Sequence, residues 1–406
     1  MAFEELWAEV APIGRSAETG GYFRQPYAGA ELELRDWFRG AAQQRGFKVE
    51  TDQIGNLVAV WRVPMISYTG LDPGKGVMVG SHLDSVIDGG AYDGALGVVS
   101  AFAAVDLLRE RGFAPARPIL IGAFAEEEGS RFGSACLSSN LAMGATTWET
   151  AEQLQDADGI YLPDALARAD LGDVQPLALA QRVSAFVELH IEQGRHLVDH
   201  HKPIGVGAGI WPHGRYRFEF SGVANHAGTT PMEDRADPML TFAMTVLAAN
   251  KKARAMGQRA TFGRVTVSPN STNSVPSRVT AWLDARADTA EAVSELVSEV
   301  ARLATERAER DGTNVAMRVD SVAGSVDFDE DLARWIAFEH DGEDWPIIPT
   351  AAGHDAGVMS ASGIPTTMLF VRNPTGVSHS PAEHVDIADA LAGVEALAET
   401  ITRLAS

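Results

Sequence analysis

Cysteine is almost absent from this chain, with Cys136 as the only one among 406 residues. The protein can therefore form no internal disulfide and no metal site built from several thiolates. Cationic residues are also few: 33 Lys and Arg stand against 55 Asp and Glu, which gives a formal net charge of -22 at pH 7. This excess of acids favours solubility and argues against a broad surface for nucleic acid or anionic membranes.

Long apolar runs are missing as well. No stretch approaches the roughly 20 consecutive apolar residues that a membrane-spanning helix needs. The start of the chain, MAFEELWAEV, lacks the basic and apolar regions of a secretory signal. We therefore expect a cytoplasmic protein with neither a membrane nor a nucleic-acid partner.

At 406 residues the chain is longer than a domain with a single hydrophobic core usually is. Its two outer parts share one pattern of apolar runs and helical segments. In residues 1–206 and 323–406, short apolar runs rich in β-branched residues alternate with helical patterns. Examples are GVMVGS at 76–81 and TTMLFV at 366–371. This alternation is typical of a mostly parallel sheet covered by helices on both faces. The predicted fold class is α/β, with a large doubly wound domain made of these two parts.

Residues 207–322 follow a different pattern. Three strand-like runs, of which RYRFEFSGV alternates most clearly, are combined with two long helical segments. The pattern predicts an inserted, smaller α+β domain whose sheet has one open face. One discontinuous large domain and one insert therefore make up the predicted architecture.

Histidines and carboxylates follow several of the apolar strands, at the points where a strand leads into a loop. In an open parallel sheet, ligands collect beyond the carboxyl ends of the strands, so these side chains are expected to converge on one crevice. They are His82 after GVMVGS, Glu126, Glu127 and Glu128 after PILIGAFA, Glu188, His190 and Glu192 at the end of SAFVELH, and His379 after TTMLFV.

Imidazole and carboxylate ligands without thiolates suit Zn, Mn, Co or Ni. A single ion needs only three protein ligands and a water, whereas five candidates from separate segments fit two ions about 3.5–4 Å apart that share a carboxylate. A spare glutamate beside such a site can take a proton from water and pass it to a leaving nitrogen. Taken singly, Asp93 could instead cap a helix, and the glutamate triplet could lie in a solvated loop.

An ordered series of motifs runs from residue 80 to residue 384: GSHLDSV with GGAYDGALGV, FAEEEGSRFG, ELHIEQG, NHAGTTPMEDRAD, NSVPSRVTAWLDAR, GHDAG and SHSPAEH. The series resembles the aminoacylase-like peptidases and amidohydrolases of family M20. ELHIEQG is most similar to the branch of N-carbamoyl-L-amino acid hydrolases, β-ureidopropionases and allantoate amidohydrolases. The resemblance implies a two-metal catalytic domain and a smaller lid domain that also dimerises.

The resemblance also implies a role for each matching residue. Glu127 corresponds to the general base, Asp84 to the acid that orients the first histidine ligand, and the Asp93–Gly94 peptide bond to an unusual cis bond. His82, Asp93 and His190 would form one trio of ligands and hold one ion. Asp93, Glu128 and His379 would form the second trio and hold the other ion. Asp93 would bridge the two ions.

Five further residues resemble substrate contacts of the family. Gln193 would contact the ureido group, and His354 would be another contact in the large domain. Asn273 and Arg286 would hold the substrate carboxylate, for which a planar guanidinium is well suited. His226 of the lid would reach the partner's site in a homodimer and stabilise the developing oxyanion.

These expectations define a predicted activity: hydrolysis of a linear ureido compound that carries a carboxylate, such as allantoate or an N-carbamoyl-L-amino acid, with release of ammonia and carbon dioxide. One alternative is an acylamino-acid or dipeptide hydrolase of the same superfamily. Another is a noncatalytic binding protein stabilised by its metals, although Glu127 would then have no purpose. Serine or cysteine nucleophile chemistry is disfavoured, because Cys136 lies in no recognisable signature and no G-x-S-x-G motif occurs.

Overall fold

The computed structural model describes residues 3–63, 74–171, 177–340 and 342–406. The chain divides into two compact units, a large unit of Met1–Gly209 with Asp327–Ser406 and a small unit of Ile210–Val326. In the described ranges, every helix is too short or too polar to cross a membrane. The role of the small unit as a lid and dimerisation domain stays a prediction.

The described residues form fifteen strands. They are β1 Lys48–Thr51, β2 Leu57–Trp61, β3 Gly76–His82, β4 Ile119–Phe124, β5 Val183–Ile191, β6 Ile204–Ile210, β7 His213–Ser221, β8 Asn225–His226, β9 Arg259–Ser268, β10 Ser274–Val275, β11 Arg278–Arg286, β12 Asn314–Ala323, β13 Val326–Asp327, β14 Ile347–Thr350 and β15 Thr366–Val371.

The same residues form thirteen α-helices. They are α1 Phe3–Val10, α2 Gly29–Gln44, α3 Ala95–Glu110, α4 Leu137–Ala142, α5 Trp148–Ala151, α6 Leu162–Arg168, α7 Leu179–Arg182, α8 His196–Asp199, α9 Pro238–Met256, α10 Ala290–Asp311, α11 Glu330–Ala337, α12 Asp355–Ala361 and α13 Ile387–Ala405.

The large unit is built on a nine-stranded sheet in the order β1-β2-β4-β3-β5-β15-β6-β13, with β14 paired to β6. The four central strands, β4, β3, β5 and β15, run parallel. The β1–β2, β2–β4 and β15–β6 pairs are antiparallel. The predicted α/β class with a mostly parallel central sheet is confirmed.

Both faces of the central strands are covered, which explains why their sequences are almost continuously apolar. Every residue of β3, β4 and β15 is buried. Val77 and Val79 of β3 belong to a core cluster that includes Phe102 of α3 and Leu397 of α13. Met78, whose side chain points to the other face, is buried as well.

The small unit contains a four-stranded antiparallel sheet in the order β12-β7-β11-β9. Burial alternates along β7 and β11, so that Phe218 and Leu283 join a core cluster with Leu296 of α10, while residues between them stay partly exposed. The strand β12 was not predicted from the sequence. Its apolar residues alternate, and most of the strand is exposed at the edge of the sheet.

Helix α3 packs unusually close to the sheet that carries the candidate site. A Cβ at Gly97 would lie 2.2 Å from the Leu189 carbonyl oxygen of β5 and 2.8 Å from Cβ of Ser81 in β3. Glycine is therefore needed at this position for the helix to seat against the two central strands.

We expect Gly97→Ala to lower the free energy of unfolding by about 1–3 kcal/mol, since overpacking forces backbone atoms apart. Urea unfolding followed by circular dichroism measures the change. The matched control is Gly40→Ala in α2, where a Cβ meets no atom within 4 Å; this variant should gain roughly 0.5–1 kcal/mol. Equal stability of the two variants would contradict the close-packing argument.

Candidate metal centre and substrate site

Three buried side chains at the carboxyl ends of the central strands form the first candidate ligand set. His82 ends β3, His190 lies near the end of the neighbouring β5, and Asp93 lies in the loop before α3. The Oδ1 atom of Asp93 is 3.4 Å from Nε2 of His82 and 3.1 Å from Nε2 of His190. The sheet therefore brings together residues that are far apart in the sequence.

The second set uses the other oxygen of the same aspartate. Oδ2 of Asp93 is 3.5 Å from Nε2 of His379, and that nitrogen is 3.3 Å from Oε2 of Glu128. In each trio, one possible ligand atom per residue lies within 4.8 Å of the others. Asp93 thus stands between the two trios, with one oxygen toward each.

Hydrogen bonds orient two of the histidines. Nδ1 of His82 lies 3.0 Å from the Asp84 carbonyl oxygen, and Nδ1 of His190 lies 2.9 Å from the Ile191 carbonyl oxygen. Both rings therefore carry the proton on Nδ1 and present Nε2 toward Asp93. A backbone carbonyl behind each imidazole is a common support for a metal ligand.

Asp84 acts differently from the role that the sequence predicted. Its Oδ1 atom is 3.8 Å from Nδ1 of His82, which is too long for a hydrogen bond. Its two carboxylate oxygens instead accept the backbone N–H groups of Glu127 and Glu128, each at 3.2 Å. The backbone carbonyl oxygen of Asp84 therefore orients His82, and its carboxylate holds the loop that contains Glu127 and Glu128.

The alternative interpretations, Asp93 as a helix cap and the glutamate triplet as a solvated loop, are wrong. The residue before α3 is Gly94, and no side chain caps that helix, so Asp93 is not a helix cap. Glu126 and Glu127 are buried rather than solvated. The implied cis bond after Asp93 is also absent, because the cis peptide in the described residues is Ser268–Pro269.

Gly94 has a positive φ of 69°, and a Cβ there would lie 2.4 Å from the His82 ring. Glycine is therefore the residue that lets the Asp93 loop pass this close to the imidazole.

The donor set fits a divalent cation. Nε2 of His82 is buried and has no hydrogen-bond partner among the described residues, although buried polar atoms are normally satisfied. Imidazole nitrogens and carboxylate oxygens are the ligands expected for Zn, Mn, Co or Ni. The cluster of His82, Asp93 and His190 therefore suits divalent metal binding.

Charges in the cluster compensate one another in the metal-free protein. Burial alone would raise the pKa of Asp93, but the charge of His190 and hydrogen bonds to His190 and His379 hold that pKa well below its usual value. Hydrogen bonds to Asp93 and Glu128 raise the pKa of His379 to about 10. Without a cation, protons on the imidazoles balance the carboxylates.

Glu127 lies beside the first trio with its two oxygens in different surroundings. Oε2 is 3.7 Å from Nε2 of His82, and Oε1 accepts a hydrogen bond of 3.4 Å from the Cys136 thiol. Burial raises the pKa of Glu127 and also that of the Cys136 thiol, so the sulfur stays protonated. A thiol that stays protonated is a poor nucleophile. The contact of Cys136 with Glu127 had no signal in the sequence.

Gln193 also contacts Asp93. Its Nε2 donates to Oδ2 of Asp93 at 2.9 Å and to Oγ of Ser378 at 3.1 Å. Its Oε1 is buried and lacks a partner among the described residues. The amide thus offers one hydrogen-bond acceptor beside the metal ligands.

His354 is buried against His190, with the ring centroids 4.5 Å apart. Both of its nitrogens lack a partner within the described part of the chain. Burial lowers the pKa of His354 well below its usual value, so the ring is neutral. Glu188, which lies near both rings, is already bonded to the Ser81 hydroxyl at 2.6 Å and the Ala356 N–H at 2.9 Å. Glu188, His190 and His354 form a third group of possible ligands, but both carboxylate oxygens of Glu188 are already occupied by these two hydrogen bonds.

The remaining predicted residues lie in the small unit. His226 is exposed, and its Nδ1 accepts N–H groups from Gly228 at 3.1 Å and Thr229 at 3.2 Å. This arrangement leaves the proton on Nε2, which is then free to donate. Asn273 lies beside His226, since the backbone carbonyl oxygen of Asn273 accepts the Ala227 N–H at 2.9 Å.

Arg286 differs from the expectation of an available carboxylate clamp. Its guanidinium is paired with Asp284 through Nε at 2.7 Å and Nη2 at 3.1 Å. A substrate carboxylate would have to share or replace that partner. Asp284 lies two residues from Arg286 in the sequence, but no sequence pattern indicated that the two side chains form a bidentate pair.

Comparison with known proteins supports this fold and shows the family of the chain. The sequence profile of the peptidase family M20/M25/M40 matches residues 78–403 of this chain. The chain is 35% identical over 414 residues to an N-carbamoyl-L-amino acid amidohydrolase of Geobacillus stearothermophilus, covering 99% of this chain and 98% of that protein. It is 33% identical over 412 residues to the allantoate amidohydrolase of Escherichia coli K12, covering 100% and 98%.

A solved structure extends the similarity to three dimensions. An amidase of the hydantoinase/carbamoylase family from Burkholderia vietnamiensis superposes with a TM-score of 0.87 at 29% identity, covering 99% of this chain and 96% of that one. The chain therefore belongs to the peptidase family M20/M25/M40 and is a metal-dependent amidohydrolase. The resemblance drawn from the motifs is confirmed.

We expect divalent cations to bind more tightly as the pH rises from about 6 to 8, because each ion displaces protons that the histidines hold in the metal-free protein. Calorimetric titration with Zn²⁺ in buffers of different ionisation enthalpy measures the released protons, and about one or more per ion is expected. His200→Ala, an exposed histidine outside the trios, should leave the release unchanged. A pH-independent affinity would contradict the charge balance described above.

Proposed function

We propose that this enzyme hydrolyses linear ureido compounds that carry a carboxylate, of the kind represented by allantoate and N-carbamoyl-L-amino acids. The relatives at 33–35% identity act on such compounds, according to their names. The observation that carries the proposal is the buried Oε1 atom of Gln193, which has no hydrogen-bond partner in the described part of the chain. A ureido group has a terminal NH₂ that can donate to this oxygen, whereas an acyl group has no donor there.

The proposed cofactor is a pair of divalent ions, Zn, Mn, Co or Ni. His82, Asp93 and His190 would hold one ion, and Asp93, Glu128 and His379 the other. When bound, such ions supply Lewis-acid activation of water and of the substrate carbonyl. Support comes from the two oxygens of Asp93, of which Oδ1 faces His82 and His190 and Oδ2 faces His379.

Glu127 is the proposed general base. Its Oε2 points toward His82, while the Cys136 thiol occupies Oε1, so one oxygen is available for a water proton. The proton taken from water is then given to the leaving nitrogen. Water adds to the ureido carbonyl, the carbon–nitrogen bond breaks, and ammonia leaves; the remaining carbamate decomposes to carbon dioxide and an amine.

His226, Asn273 and Arg286 complete the proposal. The Nε2–H of His226 would stabilise the oxyanion in the partner's site of a homodimer, as the family resemblance implies. Asn273 and Arg286 would bind the substrate carboxylate, with Arg286 exchanging all or part of its contact with Asp284. His354 would contact the substrate in the large unit, since its ring is neutral and neither nitrogen has a partner among the residues that the structure describes.

Glu127→Gln should lower kcat by a factor of about 10²–10⁴ while the metal content of the protein stays the same, because the amide cannot accept the proton. Steady-state assays and elemental analysis of the same samples measure the two quantities. Glu110→Gln, an exposed position at the end of α3, serves as the matched control. Turnover equal to that of the wild type would refute Glu127 as the base.

A substrate panel tests the proposed function itself. Allantoate, N-carbamoyl-L-amino acids and β-ureidopropionate are compared with N-formyl and N-acetyl amino acids and a dipeptide, after loading the protein with each candidate metal. We expect ammonia release from at least one ureido compound to exceed hydrolysis of every acyl or peptidyl compound.

In the same panel, Gln193→Met should lower kcat/KM for the ureido substrate about ten-fold more than for an N-formyl amino acid, since it removes the acceptor for the NH₂ group. Preference for acyl or peptidyl compounds in the wild type would favour the aminoacylase or peptidase alternative. Absence of turnover on all compounds by the metal-loaded protein would favour a noncatalytic binding protein.

A further inference from the structure

The loop that carries Asp93 is held by a buried carboxylate from the far end of the chain. Oε1 of Glu383 accepts the backbone N–H groups of Tyr92 at 2.9 Å and Asp93 at 3.0 Å. Glu383 is 5% exposed. It is neither in a candidate ligand trio nor in contact with the proposed base, so no role discussed above accounts for it.

Packing around this carboxylate is tight. A Cβ at Gly90 would lie only 2.1 Å from Oε1 of Glu383. The absence of a side chain at Gly90 therefore lets the loop approach the carboxylate closely enough for both N–H groups to reach it.

A buried cation holds the same loop. Arg24, which is fully buried, donates from Nη1 to the Ala91 carbonyl oxygen at 3.3 Å and from Nε to the Ile13 carbonyl oxygen at 3.2 Å. Successive backbone groups of the loop are thus fixed by two buried side chains from distant parts of the chain.

Glu383 also belongs to the segment that carries His379. Its own backbone N–H donates to the Ser380 carbonyl oxygen at 3.0 Å, which closes a turn directly after His379. The side chain of Glu383 consequently ties the His379 segment to the Asp93 loop across 290 residues of sequence.

The two candidate trios differ in how firmly the fold holds them. His82 and His190 lie on the central strands β3 and β5, whose backbones are fixed by the sheet. Glu128 and His379 lie on loops, so their position relative to Asp93 depends on contacts between loops. Glu383 is such a contact.

We propose that Glu383 is a positioning residue that sets the Asp93 loop against the His379 segment and thereby forms the second metal site. The inference rests on the proposed two-metal centre. Loss of the Glu383 acceptor should weaken binding of the second ion far more than binding of the first, because the first trio keeps its two strand-borne histidines.

Titration of the metal-free, full-length protein with Co²⁺, followed by calorimetry and by ligand-field absorption, tests this role. In Glu383→Leu, which keeps the approximate volume but has no acceptor, the second Co²⁺ should bind about 10–100-fold more weakly, as is typical for loss of a residue that supports a metal ligand. The first Co²⁺ should bind within about three-fold of the wild-type affinity, since its strand-borne ligands are retained.

Two further variants separate positioning from a general structural effect. Glu383→Gln keeps an oxygen that can accept both N–H groups, and it should retain second-ion affinity within about three-fold. Glu395→Leu removes an exposed carboxylate that is paired with Arg111 on the surface, and it should affect neither ion.

The outcomes distinguish this inference from the proposed function. Wild-type protein that binds fewer than two Co²⁺ would overturn the two-metal centre and the Glu383 role with it. Wild-type protein that binds two ions, together with a folded Glu383→Leu variant that also binds both at wild-type affinity, would overturn the Glu383 role alone. Equal weakening in the Gln and Leu variants would overturn it too, because the acceptor is still present in Gln.

If circular dichroism shows that Glu383→Leu does not fold, Glu383→Asp decides the question. That variant keeps the charge but withdraws the acceptor by one methylene group, so the second Co²⁺ should bind at least about three-fold more weakly. Unchanged second-ion affinity in Glu383→Asp would overturn the proposal.

Discussion

The carboxylate of Asp93 is the group on which the rest of the centre depends. It is almost completely buried, and a buried anion is costly unless positive charge or hydrogen bonds compensate it. Its two oxygens face different histidines, at 3.1–3.4 Å on one side and 3.5 Å on the other. In the metal-free protein those imidazoles hold protons; in the proposed holoenzyme two cations would take their place. Protonation of these histidines and binding of metal ions are therefore linked through the carboxylate of Asp93.

The α/β fold makes this arrangement possible because parallel strands end at one edge of the sheet. His82 and His190 receive rigid positions from β3 and β5, and the close packing of α3 through Gly97 brings the Asp93 loop over them. The other proposed ligands lie on loops and depend on buried polar contacts such as those of Asp84 and Glu383. The rigid trio and the loop-borne trio are accordingly expected to respond differently when such a contact is lost.

Much of the fold could be predicted from the sequence for physical reasons, whereas the assignment of ligands to two trios came from the family resemblance. Apolar runs buried on both faces reveal parallel strands, and polar residues at their ends reveal the crevice. The exposed edge strand β12 was not predicted, although its apolar residues alternate. The cis bond after Asp93 was expected from resemblance alone, and the structure has a trans bond there. Which atoms of Asp84 contact which neighbours could not be predicted, since its carbonyl and carboxylate serve different loops.

The sequence by itself determined the α/β alternation, the positions of the strands that lead into the site, and the residue types available there, because hydrophobic periodicity and side-chain chemistry are local properties. Only the tertiary structure decided that the Cys136 thiol meets Glu127, that Arg286 is paired with Asp284, and that Glu383 accepts the N–H groups beside Asp93. Each of these contacts depends on rotamers and loop paths that are set when segments pack together. Hydrogen bonds act over about 3 Å, so a shift of one loop that leaves every sequence pattern intact is enough to make or break them.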